Sequence, residues 1–184
     1  MTIVEPTVHD VERAIAELLR EEEVGALATV SPTGTPSVAT MSFASDGLAV
    51  YLYIFTNTRT YKALCHNSRV SYVLAHQPSG GFNDRRRLRC VQISGTATLV
   101  TDAAEINHAI GLSREQFEWL KDSAMYNNVQ LPSAASRQVF FRIDPVEALW
   151  TDNRVRMLWR KIVTFSPDGK HVAGLAPYDT AVEC

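Results

Sequence analysis

Residues 54–74 read IFTNTRTYKALCHNSRVSYVL, and the changes of rhythm inside this stretch decide the fold. Ile54 and Phe55 end an apolar run of the kind that builds a strand. Thr56 and Asn57 break it, and the residues from Thr58 to His66 suit one short helix. From Arg69 to His76 apolar and polar residues alternate, which is the period of a half-buried strand. Upstream, residues 25–31 and 37–44 are β-type runs parted by Pro32-Thr33-Gly34, a hairpin turn. Ser45-Asp46-Gly47 turns the chain again into residues 48–56, so the first third reads as a β-meander. Before it, Val8, Val11, Ile15, Leu18 and Leu19 fall at helical spacing within residues 7–23, with Thr7 and Asp10 at the N-cap and in the first turn.

Downstream, residues 88–101 form the next strand, after the turn-forming connection Gln77-Pro78-Ser79-Gly80-Gly81. Residues 102–110 and 113–125 are expected as two helices, the second opened by a capping box of Ser113 and Gln116. Residues 138–149, 154–165 and 171–175 resume β patterning, with Pro167-Asp168-Gly169 between the last two. The sum is a mainly β, α+β fold: six or seven antiparallel strands, short hairpins and a few flanking helices, closed or partly closed into a barrel that hides its strand edges. There is no internal repeat.

The chain of 184 residues is 46% hydrophobic and 21% charged, a composition that supports a packed core, and residues 1–184 are expected to form a single domain. Residues 48–55, the longest apolar stretch, fall far short of the roughly 20 residues needed to cross a bilayer. The start, Met-Thr-Ile-Val-Glu-Pro, has neither a basic leader nor an apolar signal core, so the expected location is cytoplasmic, with no membrane partner. A formal charge of −2 argues against nucleic acid as the main partner. Cys65, Cys90 and Cys184 are too widely spaced for a CxxC zinc pair or a disulfide framework. No HExxH, GxGxxG, P-loop or GxSxG occurs, and no metal is expected. His76, at a strand end, is the one histidine to watch, an ordinary barrel-rim histidine being the other reading.

Thr56-Asn57-Thr58-Arg59-Thr60-Tyr61-Lys62 joins a strand to a helix N-terminus and supplies hydroxyls, two cations and free amides. Such a segment suits a phosphate dianion; it also suits a polar cap beside a solvated lysine. Near the C-terminus Arg154, Arg156 and Arg160 are expected on one strand face, with the outer two roughly 20 Å apart at ~3.3 Å per residue, too far to share one phosphate. Arg85, Arg86, Arg87 and Arg89 form a second basic cluster, either solvated or serving as an anion clamp or subunit contact.

The quoted stretch, with its Asn67-Ser68-Arg69-Val70, resembles the pyridoxamine 5'-phosphate oxidase-like flavoproteins. The resemblance continues through GALATVSPTGTPSVATMSF (25–43), RCVQISGTATLV (89–100) and LWTDNRVRMLWRKIVTFSPDGKHVAGLAP (149–177). It implies a split β-barrel homodimer that binds FMN at the subunit interface. It also implies cofactor contacts from Thr56, Asn57, Thr58, Arg59, Thr60 and Lys62, with Lys62 as the phosphate lysine. Arg160 would be a cofactor arginine of the neighbouring subunit, Trp150 a wall beside the flavin, and Arg156 a substrate-binding arginine. Some positions depart from the pattern. Residues 37–42 lack basic side chains, Tyr61 replaces an arginine and Cys90 a glutamine, and Leu158 stands where the true oxidases have a substrate-contacting histidine. The expected activity is therefore an FMN-dependent oxidoreductase acting on a small molecule by hydride transfer at flavin N5, with no residue assigned as acid or base. The same barrel also serves deazaflavin-dependent reductases and non-catalytic flavin- or haem-binding proteins, and His76 would be the haem ligand in the last case.

Overall fold

The computed structural model describes residues 4–126, 129 and 137–178. Among the described residues nine strands form one antiparallel sheet: β1 (Val24–Val30), β2 (Pro36–Ser42), β3 (Ala44–Asp46), β4 (Ala49–Phe55), β5 (Arg69–His76), β6 (Arg89–Leu99), β7 (Gln138–Asp152), β8 (Arg160–Phe165) and β9 (Val172–Pro177). The order is β2-β1-β5-β6-β7-β4-β3, with β8 and β9 paired outward from β7. The mainly β, antiparallel barrel expected from the pattern is therefore present, with nine strands rather than six or seven. Three-residue β3 lies where the Ser45-Asp46-Gly47 turn was expected and is a strand that the pattern does not give.

The first third of the chain is not a meander. The β1–β2 hairpin lies at one end of the strand order and the β3–β4 hairpin at the other, and β4 pairs with β7 (Val50 opposite Ile143). Between β2 and β3 stands Phe43 alone, fully buried and stacked on Tyr72 with ring centroids 4.9 Å apart. Since β2 and β3 are the two ends of the sheet order, this one residue carries the chain from edge to edge and curls the sheet into a barrel. Gly25 marks the tightest approach: a Cβ there would lie 2.4 Å from the Val73 carbonyl oxygen, so only glycine lets β1 sit this close to β5.

β7 is the spine of the barrel. One side pairs with β6 along its length, while the other serves β4 with residues 138–143 and β8 with residues 147–151. The change of partner falls around Pro145, where the β6 register also shifts between Ser94 and Gly95. Proline has no N–H to give a ladder, which suits a point where neighbours exchange.

Helix α1 (Val8–Glu21) closes the barrel, burying Val11, Ile15, Leu18 and Leu19, and Thr7 and Asp10 form a reciprocal capping box. Helix α2 (Arg59–His66) follows β4, as the pattern indicated. The two helices expected within residues 102–125 are instead one, α3 (Ala103–Gln116), followed by short 3₁₀ turns at Glu118–Leu120 and Ala124–Tyr126. Asp102 caps it through the Glu105 amide, so no new start is needed at Ser113. The Ser113 hydroxyl donates to the Ala109 carbonyl (2.8 Å), and the Gln116 side chain leaves its own helix for Leu19, Phe43 and Ser45. Likewise, residues 154–158, expected as strand, form the turn between β7 and β8, closed where the Asp152 amide donates to the Trp159 carbonyl (3.1 Å).

Two apolar clusters result, one inside the barrel and one on the outer face of β4 under α3, built on Tyr51, Phe117, Leu120, Tyr126 and Phe140. The phenols of Tyr51 and Tyr53 are both pushed up to about 12, chiefly by desolvation, and donate to Glu105 (3.1 Å) and the Met125 carbonyl (3.2 Å). A phenol whose folded-state pKa exceeds its unfolded value stabilises the fold fully below the unfolded value, and that stability is lost as pH rises through the folded one. Thermal unfolding is therefore expected at falling temperature between about pH 10 and about pH 12. Tyr51→Phe, which has no proton to lose there, should reduce that dependence.

Candidate functional site

The strand-to-helix turn after β4 is built by its own side chains. Thr58 is the N-cap of α2: its hydroxyl donates to the Phe55 carbonyl (2.8 Å) and accepts from the Tyr61 amide (3.2 Å). The first intrahelical bond runs from the Lys62 amide to the Thr58 carbonyl (3.3 Å), so the amides of Arg59 and Thr60 precede the ladder. Ala63 and Leu64 are buried, and Tyr61 packs toward the core with its ring edge-on to Phe141. That seating turns Arg59 and Lys62 to solvent on the opposite side, together with Asn57, while Thr56, Thr58 and Thr60 are half-buried. The Thr56 amide donates to the Arg137 carbonyl (3.0 Å), which ties the turn to the start of β7.

The donor set here, two helix amides with no partner among the described residues, a lysine and an arginine, fits a phosphate dianion. Thr58 is already committed as the cap. Its replacement by alanine is expected to cost about 1 kcal/mol of stability, largely recovered by Thr58→Ser, as measured by urea unfolding.

Beside this turn, Phe55 borders a cleft of about 150 Å³ between β2, the outer face of β4 and the 3₁₀ turns, with Tyr53 and Trp119 among its walls. These aromatics are not among the expected site residues. The signal was there in Tyr51, Tyr53 and Phe55, spaced by two on a strand whose alternate residues fill the core.

The arginines expected on one strand face are distributed differently. Arg154 folds back on buried Asp152 in a paired contact (2.7 and 3.0 Å), Arg156 lies exposed in the turn, and Arg160 begins β8. Arg160 stands opposite Thr151 of β7, which is opposite Cys90 of β6, which is opposite Ala75 of β5. Burial raises the Cys90 thiol pKa, and the nearby Arg160 guanidinium partly offsets this. The Arg160 Nε is buried without a hydrogen-bond partner among the described residues. Trp150 is 1% exposed and packs in the barrel core, so in this conformation it presents no open face.

The elements that carry Lys62 and Arg160 meet β7 near opposite ends. The phosphate turn follows Phe55, opposite Gln138 at the start of β7, whereas Arg160 pairs with Thr151 near its end. At ~3.3 Å per residue those points are on the order of 40 Å apart along the strand.

Of the other basic cluster, Arg89 is buried and joins β6 to α1 through Glu21 (2.6 Å) and Glu17 (3.7 Å). Arg85 to Arg87 belong to a 3₁₀ segment, Gly81–Arg87, in the connection expected to be loop. The His76 Nδ1 lies 2.7 Å from Glu22. Among the described residues, no three side chains of His, Cys, Asp or Glu gather as metal ligands, and no helix is long and apolar enough to cross a membrane.

A barrel of this order, entered by a strand–turn–helix with a phosphate-type donor set, defines a class of split-barrel proteins. The sequence profile of pyridoxamine 5'-phosphate oxidase matches residues 11–150, and the chain belongs to that family. A search of curated proteins by sequence finds no match. Among solved structures the fold is similar to a haem-binding protein from Mycobacterium smegmatis (20% identity, TM-score 0.67, covering 88% of this chain and 60% of that one). It is similar also to the haem storage protein HutZ from Vibrio cholerae (21%, 0.57, 73% and 89%). A third similar structure is an FAD-binding protein from Mesorhizobium loti (18%, 0.53, 74% and 90%). At these identities the likeness is one of fold, and the chain spans 60% of the length of the Mycobacterium smegmatis protein.

Proposed function

We propose that this protein binds FMN through its phosphate at Thr56–Lys62 and serves as an oxidoreductase for a small molecule. The observation that carries the reading is the α2 N-terminus, where the amides of Arg59 and Thr60 stand beside Lys62 and Arg59 with Thr58 already fixed as the cap. When bound, FMN supplies hydride transfer at its N5, and the protein supplies position and charge. Lys62 and Arg59 neutralise the phosphate, and Thr56 and Thr60 flank it as hydroxyls.

Arg160 acts on the same cofactor from a second copy. The span of β7 separating it from Lys62 supports this, because a site that uses both needs a homodimer. In that arrangement the row of Cys90, Thr151 and Arg160 faces the partner's phosphate turn, with Arg156 nearby for substrate.

A second reading, haem binding, is favoured by one observation. Glu22 holds the His76 Nδ1 at 2.7 Å and leaves Nε2 as the ligating nitrogen, the carboxylate–histidine pairing common in metal ligation.

The visible spectrum and mass of the small molecule that copurifies with the protein, followed by titration with FMN, test both readings. Flavin absorbance with the mass of FMN supports the first. A haem band lost in His76→Ala supports the second. The mass of a deazaflavin moves the assignment to a reductase of that cofactor class, and colourless protein that takes up no added FMN sinks the proposal.

A further inference from the structure

Two cations open β8, and their surroundings differ. Lys161 turns toward the segment ahead of α1, where Glu5 takes its ammonium at 2.7 Å. Arg160 lies on the other face of the strand, in the row with Thr151 and Cys90. Among the described residues no carboxylate pairs with its guanidinium, and its Nε is buried with no hydrogen-bond partner. A buried donor left open in this way asks for an explanation.

The group that does meet Arg160 is the ring of Tyr178, whose centroid lies 5.4 Å from the guanidinium carbon. Strand register explains the meeting. β9 runs antiparallel to β8 with Ile162 opposite Ala176 and Lys161 opposite Pro177, so one further step puts Tyr178 opposite Arg160. Residues directly opposite in an antiparallel pair share a face, and their side chains meet. Both are half-buried, a setting in which a cation over an aromatic face is held more firmly than in open water. The Arg160 charge also reaches Cys90, which puts the guanidinium on the side of the row. Tyr178 is the first residue past 149–177, the stretch that carries the family resemblance at this end, so the shared motif does not supply it.

We infer that Tyr178 is a positioning residue for Arg160: its ring fixes the guanidinium at the start of β8 and leaves Nε as an open donor for an anion brought by a second subunit. That the anion is FMN rests on the proposed function; the hold of Tyr178 on Arg160 does not. An arginine side chain is long and loses rotamer freedom when it binds. Stacking settles that loss before the ligand arrives, which is the gain of preorganisation. A ring suits the task because it holds the cation without using its N–H donors. A carboxylate would take those donors and neutralise the charge, as Asp152 does for Arg154.

Two measurements on the full chain test this. In the FMN-free protein the Arg160 Nε–H signal is assigned in heteronuclear NMR spectra by its loss in Arg160→Lys. Tyr178→Ala should move that signal, because the ring current of the aromatic face is gone, and Tyr178→Phe should leave it in place. Quenching of flavin fluorescence then gives FMN affinity. Tyr178→Ala should weaken binding about three- to tenfold, the size of a partly desolvated cation–π contact, and Tyr178→Phe should stay within about twofold of wild type. In an Arg160→Ala background, Tyr178→Ala should cost nothing further, the non-additivity expected of a residue that acts through Arg160. An Arg160 signal unmoved in Tyr178→Ala overturns the inference whether or not FMN binds. So does FMN affinity that Tyr178→Ala leaves unchanged while Arg160→Ala weakens it, and so do losses that add in the double variant. If wild type takes up no FMN, the cofactor reading falls, and the NMR result alone decides whether Tyr178 holds Arg160.

Discussion

Lys62→Ala is expected to weaken FMN binding by about ten- to hundredfold, and Arg160→Ala by a similar factor, because in the proposed site each removes a charge-assisted contact of roughly 1.5–3 kcal/mol to a phosphate or flavin oxygen. Quenching of flavin fluorescence on titration measures both. The two residues stand near opposite ends of β7, so in the proposed dimer the losses come from different subunits of one site. A mixed dimer of the two variants therefore has one site lacking both side chains and one site intact. Half of its sites should keep wild-type affinity, a result that a site contained in one chain cannot produce. Unchanged affinity in both single variants would remove the phosphate assignment.

Trp150→Ala is expected to cost about 3–5 kcal/mol of stability, read from urea unfolding, since it empties one of the two fully buried tryptophans of the barrel core. The family resemblance makes the same residue a wall beside the flavin, and Trp150→Phe separates the two roles. Much of the core volume is kept by phenylalanine, so stability should fall far less than in the alanine variant. If FMN affinity stays near wild type as well, Trp150 acts as packing behind Thr151 and Arg160. A large loss of affinity at near-native stability would restore it as a cofactor contact.

The elements that could be read from sequence are those whose signals are local. Thr7 and Asp10 announced α1, Pro32-Thr33-Gly34 announced the first hairpin, and the alternation from Arg69 to His76 matches β5 at both ends. What could not be read was pairing at a distance. Nothing near Phe55 says that β4 will lie against Gln138–Ile143, so the first third looked like a meander. The split of α3 at Gly111 failed for a similar reason. The spacing of Gln116 from Ser113 suits a local cap, but its amide belongs to a network with Leu19, Phe43 and Ser45 that only the folded chain assembles.

At the candidate site the legible part was again local. Thr58 and the first turn of α2 stand where the residue types put them. The arginines near the C-terminus alternate as a strand would, yet residues 154–158 turn, because Asn153 draws Leu158 back and Arg154 prefers buried Asp152. Alternation is a necessary mark of a strand and not a sufficient one. Trp159 shows the same limit, buried and donating its indole N–H to Glu5, a partner some 150 positions earlier.

The single-residue bridge at Phe43 has a consequence for how the chain is made. β2 and β3 leave the ribosome together, but the strand that must receive β4 emerges on the order of ninety residues later, a long loop to close. Throughout that interval β4, with Tyr51, Tyr53 and Phe55 along one face, has only the three residues of β3 beside it. Nascent chains stalled before residue 138 should therefore be the form that chaperones hold and that aggregates when they do not. Completion of β7 is the step that commits the barrel.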